Sequence, residues 1–172
     1  MRAGDGTGGR IRVLVVDDHP VVRSGLVGML DVADDLEVVG EAADGEEALV
    51  RVAALRPDVV LMDLRMPRLD GAGATARIVA EHPASRVLVL TTFDTDTDIV
   101  RAVEAGATGY LLKDTPRSQL VDAVRAAARG ETVLAPPVAA RLVSRMRTPV
   151  AEPLSPREVQ VLAAVARGLS NA

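Results

Sequence analysis

The sequence has no cysteine and no tryptophan, and only one phenylalanine, one tyrosine and one lysine. Without cysteine there is no disulfide, no thiolate metal site and no cysteine nucleophile. With aromatics so scarce, the core must be built from Val, Leu, Ile and Ala. No apolar run approaches the roughly 20 residues that span a bilayer. The opening stretch, MRAGDGTGGR, also lacks the apolar core of a secretion signal. A soluble, cytoplasmic protein without membrane contact is expected. The scarcity of lysine poses a question of its own. Nineteen arginines carry the other strong basic charges, yet position 113, directly after a short apolar run, is Lys113.

What is present is uneven. The net charge is −4, but residues 1–135 hold 22 acidic and 15 basic groups, whereas residues 136–172 hold two Glu and five Arg. An acidic front and a basic tail suggest two modules with different partners. From Ile11 onward, short apolar runs alternate with helical patterns. The runs are IRVLVV, LEVVGE, DVVLMD, RVLVLT and GYLLK. Between and after them, one face of each helix is marked by Val22, Leu26 and Met29; by Ala48, Val52 and Leu55; by Ile99 and Val103; and by Leu120, Val121 and Val124. A weaker helix ends near His82, before Pro83, and Gly106 is placed to end another. Continuously apolar strands with helical crossovers imply an α/β, doubly wound parallel sheet of five strands and five helices.

In such sheets function gathers at the carboxyl ends of the strands. The first strand ends with Asp17 and Asp18, the third with Asp63, the fourth with Thr91 and the fifth with Lys113. A solvated loop explains any one of these residues, but not all of them together. Three clustered carboxylates repel and raise one another's pKa. A divalent cation relieves this, and Mg²⁺ favours a few carboxylates with waters and a phosphoryl oxygen. One Asp could then attack phosphorus and form an acyl phosphate. A compact ammonium suits a single oxygen in a crowded pocket better than a planar guanidinium does, which is a reason for lysine at 113.

The motifs LVVDDHP, VLMDLRMP, LTTFD and GATGYLLKD, in this order and spacing, resemble the receiver domain of bacterial response regulators of the NarL/FixJ type. The resemblance covers about residues 10–132 and implies a flavodoxin-like (βα)₅ fold. It implies that Asp63 accepts a phosphoryl group from a sensor histidine kinase. Asp17, Asp18, Asp63 and the backbone carbonyl of Arg65 would hold Mg²⁺, and Thr91 and Lys113 would contact the phosphoryl group. Tyr110 would be the switch aromatic, turning inward as Thr91 moves. Many receivers have Pro after the lysine; here Asp114 follows, as in the NarL/FixJ branch. Arg65 and Phe93 occupy positions that tune phosphate lifetime, and their bulk is expected to shield the phosphate. Such a protein is a switch rather than a turnover enzyme.

Residues 133–153 read as a linker with a short helix from about Pro137 to Arg147. In LSPREVQVLAAVARGLSNA, Ser155 and Glu158 form a capping box, Pro156 opens the helix, and Leu154 and Val159 suit a hydrophobic staple. Val159, Leu162, Val165 and Leu169 would form its apolar face. Residues 154–172 also resemble the start of a LuxR-type helix-turn-helix domain, truncated before its recognition helix. DNA binding is therefore expected of the full-length output domain and not of this chain. Phosphorylation is expected to promote a homodimer.

Other patterns carry less. The spacing of Gly4, Gly6 and Gly9 imitates a dinucleotide fingerprint but precedes the first strand. DTDTD, residues 94–98, imitates a calcium loop but lacks its Gly and Glu. His19 lies beside the acidic pair and could be a metal ligand, but Mg²⁺ prefers oxygen, so it is read as a structural residue of its loop, and His82 as a helix end. Two rivals remain. A phosphohydrolase of the haloacid dehalogenase type would need a D-x-D motif, which DDHP does not supply. A receiver controlled by a ligand or protein contact, without phosphate, would have no use for a complete acidic pocket.

Overall fold

The computed structural model describes residues 9–92, 96–147 and 156–170. Gly4, Gly6, Phe93, Leu154 and Ser155 lie outside the described residues, as does the side chain of Leu169. Five strands form in the expected places: β1 (Ile11–Val16), β2 (Leu36–Ala42), β3 (Val59–Asp63), β4 (Arg86–Thr91) and β5 (Gly109–Leu112). A sixth, β6 (Val133–Leu134), was not expected. The helices are α1 (Pro20–Asp31), α2 (Gly45–Leu55), α3 (Gly71–Glu81), α4 (Asp96–Ala105), α5 (Arg117–Ala128), α6 (Pro136–Arg147) and α7 (Pro156–Ser170).

All strand pairs are parallel, in the order β2-β1-β3-β4-β5-β6. The five-strand order is that of the flavodoxin-like doubly wound sheet. Its central strands are buried on both faces: Val13–Val16, Val59–Met62 and Val87–Leu90 are almost fully shielded from water. That burial is why their apolar runs are continuous rather than alternating.

Helix ends follow local chemistry. Asp44 caps α2 by accepting from the Glu47 N–H at 2.8 Å, and Asp70 caps α3 by accepting from the Gly73 N–H at 2.8 Å. Gly106 and Gly130 close α4 and α5 at φ 92° and 79°, where a side chain would be strained.

Two expected faces are corrected. In α1 the buried residues are Leu26 and Leu30, while Val22 is exposed. In α7 the buried residues are Glu158, Val161, Leu162 and Val165, while Val159 is exposed. Both helices carry more apolar residues than their core face can hold, so periodicity alone admitted a rotated assignment. The two residues of β6, read in the sequence as linker, pair with β5 at Gly109 and Tyr110. A strand this short has no periodic signature.

Candidate functional site

The carboxyl ends of β1, β3 and β5 meet at one edge, and their side chains converge there. Lys113, just beyond β5, places Nζ 3.1 Å from Asp17 Oδ2 and 3.0 Å from Asp63 Oδ1. Asp17 and Asp63 are buried. The pocket is braced from behind: the Asp17 N–H donates to the Ala42 carbonyl at 3.1 Å, and Arg23 Nη1 donates to the Asp17 carbonyl at 2.8 Å. The His19 N–H donates to Asp17 Oδ1 at 2.8 Å. Thr91, also buried, ends β4 beside this edge, and its carbonyl accepts from the Lys113 N–H at 3.0 Å.

Burial pushes the Asp63 carboxyl up to about 6; the nearby Asp17 charge adds to the rise, while Lys113 and the Arg65 N–H oppose it. Burial pulls the Lys113 ammonium down, but its bonds to Asp63 and Asp17 outweigh this and hold it above the ordinary lysine value. The lysine thus holds two buried carboxylates together at a single point, as its compact head allows.

Asp63 Oδ2 is buried without a hydrogen-bond partner, and the buried Asp18 Oδ1 meets only the His19 ring. Among the described residues, Asp17, Asp18, His19 and Asp63 each offer a ligand atom, all within 4.8 Å of one another. Hard carboxylate oxygens left unsatisfied in a buried pocket fit a hard divalent cation. His19, exposed, also lies within reach of this group. Its Nδ1 lies 2.9 Å from Asp18 Oδ1 and 3.4 Å from Asp17 Oδ1, contacts within its own loop. The DDH tripeptide was the available signal.

Arg65 sits two residues after Asp63, and its N–H helps to lower the Asp63 pKa. Its guanidinium turns to α4 and donates to Asp98 Oδ2 from Nε at 3.2 Å and Nη2 at 2.8 Å. A second pair, Arg101 to Asp70 at 2.6 Å, also ties α4 to the start of α3. The loop from β3 to α3 closes through Gly71: a Cβ there would collide with the Asp63 carbonyl and the Leu64 Cα. Tyr110 lies apart from the acidic cluster. It is buried, and its hydroxyl donates to the carbonyls of Ala102 at 3.2 Å and Ala107 at 3.3 Å.

No helix among the described residues is long and apolar enough to cross a membrane. The response regulator receiver domain model matches residues 13–125. The chain is similar to the response regulator protein VraR of Staphylococcus aureus, 44% identical over 163 residues that span 94% of this chain and 78% of that protein. Among solved structures it is similar to the response regulator ChrA of a heme-sensing two-component system, at 48% identity and a TM-score of 0.70, covering 95% of this chain and 78% of that one. It is also similar to a LuxR-family two-component response regulator from Aurantimonas sp., at 34% identity and a TM-score of 0.75, covering 81% of this chain and all of that one. With this edge chemistry and these relatives, the chain belongs to the response regulator receiver family.

Proposed function

We propose that Asp63 is the phosphoacceptor of this response regulator and that a sensor histidine kinase is the donor. A carboxylate oxygen of Asp63 attacks phosphorus, the bond to the donor nitrogen breaks, and the imidazole leaves with its electron pair and takes a proton. The observation that carries this reading is the Lys113 ammonium held between Asp17 and Asp63, beside a buried Asp63 oxygen that has no partner. With the Asp63 carboxyl at about 6, its nucleophilic, ionised form prevails at neutral pH. The acyl phosphate adds about −1.5 to −2 of charge, by analogy with other phosphorylated side chains. Lys113 is already placed to offset it. Asp17, Asp18, Asp63 and the Arg65 carbonyl would hold Mg²⁺, which supplies further neutralisation of the phosphoryl oxygens when bound. Thr91 and Lys113 contact the phosphoryl group, and Thr91 and Tyr110 form the switch.

Residues 10–132 serve as the receiver, 133–153 as linker and 154–172 as the opening of a LuxR-type DNA-binding output. Phosphorylation promotes a homodimer that pairs two such outputs on DNA. The test is intact mass after incubation with Mg²⁺ and a small-molecule phosphodonor. One phosphoryl adduct on the wild type, absent from Asp63→Asn, is expected. An adduct that survives Asp63→Asn overturns the assignment.

A further inference from the structure

The described chain carries a second polar contact that phosphotransfer does not use, at the opposite end of Tyr110. Helix α7 lies against α4 and α6, with Val161, Leu162 and Val165 buried. From its first turn, Arg157 reaches back 50 residues in sequence and donates from Nη2 to the Ala107 carbonyl at 2.6 Å. That carbonyl also accepts from the Tyr110 hydroxyl. The guanidinium charge beside this carbonyl also opposes the rise that burial gives the phenol's pKa. A carbonyl oxygen has two lone pairs, and here one is met by the switch aromatic and the other by the output helix.

Arg157 is only partly buried, and its Nη1 also donates to the exposed Gln160 Oε1 at 3.5 Å. Its Nε is buried without a partner, and among the described residues no carboxylate pairs with it. Loss of water at Nε makes the neutral Ala107 carbonyl the main partner of the inner edge of the guanidinium. By fixing the Ala107 carbonyl, Arg157 holds in place an acceptor that the buried Tyr110 hydroxyl uses.

We propose that Arg157 is a positioning residue for Tyr110, so that seating of α7 on α4 and burial of Tyr110 are one coupled equilibrium. This rests on the reading of Tyr110 as the switch whose inward position phosphorylation selects. By linkage, docked α7 then favours capture of a phosphoryl group, and capture tightens the docking of α7 by the same factor.

The sequence provides the reporter, because Tyr110 is the only tyrosine and there is no tryptophan. Tyrosine emission, with its quenching by acrylamide, therefore reads Tyr110 alone in the 172-residue chain. A second readout is the apparent affinity for beryllofluoride with Mg²⁺, a phosphoryl mimic. For Arg157→Ala, more accessible emission and a roughly five- to tenfold weaker beryllofluoride affinity are expected. Arg157→Lys, which keeps one charged donor, should restore part of both. Placed on Tyr110→Phe, Arg157→Ala should cost little further affinity. Unchanged quenching in Arg157→Ala, or a full additional loss of affinity on Tyr110→Phe, overturns the proposal. Should Arg157→Ala fail to fold, the quenching of Arg157→Lys decides: emission less protected than wild type supports the coupling, and identical protection overturns it. Failure of the wild type to bind beryllofluoride would count against the phosphoacceptor reading, while quenching would still decide the Tyr110 contact.

Discussion

At the scale of single residues, the pocket makes two sharp predictions. Lys113→Ala removes the ammonium that spans Asp17 and Asp63 and should slow phosphorylation by roughly 10²-fold. Lys113→Arg keeps the charge but not the compact head, and should recover only part of the rate. Rates of adduct growth by mass check both. The second prediction concerns pH in metal-free buffer. Burial raises the folded Asp63 carboxyl from 3.8 to about 6, so between these values the native state binds more protons than the unfolded chain. Stability therefore falls as pH rises through that window, by at most about 2–3 kcal/mol. Asp63→Asn has nothing to ionise, so its advantage over wild type in urea denaturation should be larger at about pH 8 than at about pH 4. An advantage independent of pH would contradict this. The charged members of the pocket were legible because each closes an apolar strand. His19 was not, because one imidazole beside two acids admits several roles until its ring position is known. Nor was the Arg65–Asp98 pair, since nothing local links a loop arginine to an acid 33 residues away.

At the scale of elements, the loop from β3 to α3 is set by close approach rather than by side-chain chemistry. The Gly71 N–H donates to the Leu64 carbonyl at 2.9 Å, and a Cβ at 71 would strike the backbone of Asp63 and Leu64. Gly71→Ala must displace that backbone. It should cost about 1–3 kcal/mol in denaturant unfolding and slow phosphorylation besides. Unaltered stability and rate would show that the loop yields freely. The buried strands were legible because their apolar runs are uninterrupted. Helix faces were less so. α1 carries Val21 and Val22 on its exposed side, and Val32 follows at its end, so exposed apolar residues blur the stripe that periodicity relies on. β6 depends on partners rather than pattern: the Ala135 N–H donates to the Tyr110 carbonyl at 2.9 Å, and the Val133 N–H to the Thr108 carbonyl at 3.3 Å.

At the scale of the whole molecule, the topology and the pocket are one arrangement, since only the order of the strands brings Asp17, Asp63 and Lys113 to a common edge. Phosphorylation should raise the apparent mass in sedimentation if the proposed homodimer forms, and Asp63→Asn should stay at the lower mass. The strand order also has a consequence in time. The three carboxylates belong to the first 63 residues, whose strands lie side by side in the order β2-β1-β3 and form one side of the sheet. The ammonium that joins Asp17 to Asp63 comes 50 residues later, just past β5, which is held through β4. A chain emerging from the ribosome can therefore assemble the acidic half while its charges still repel. Arrival of β5 then relieves that repulsion as it joins the sheet, so the charge balance of the site rewards a later step of folding rather than the first.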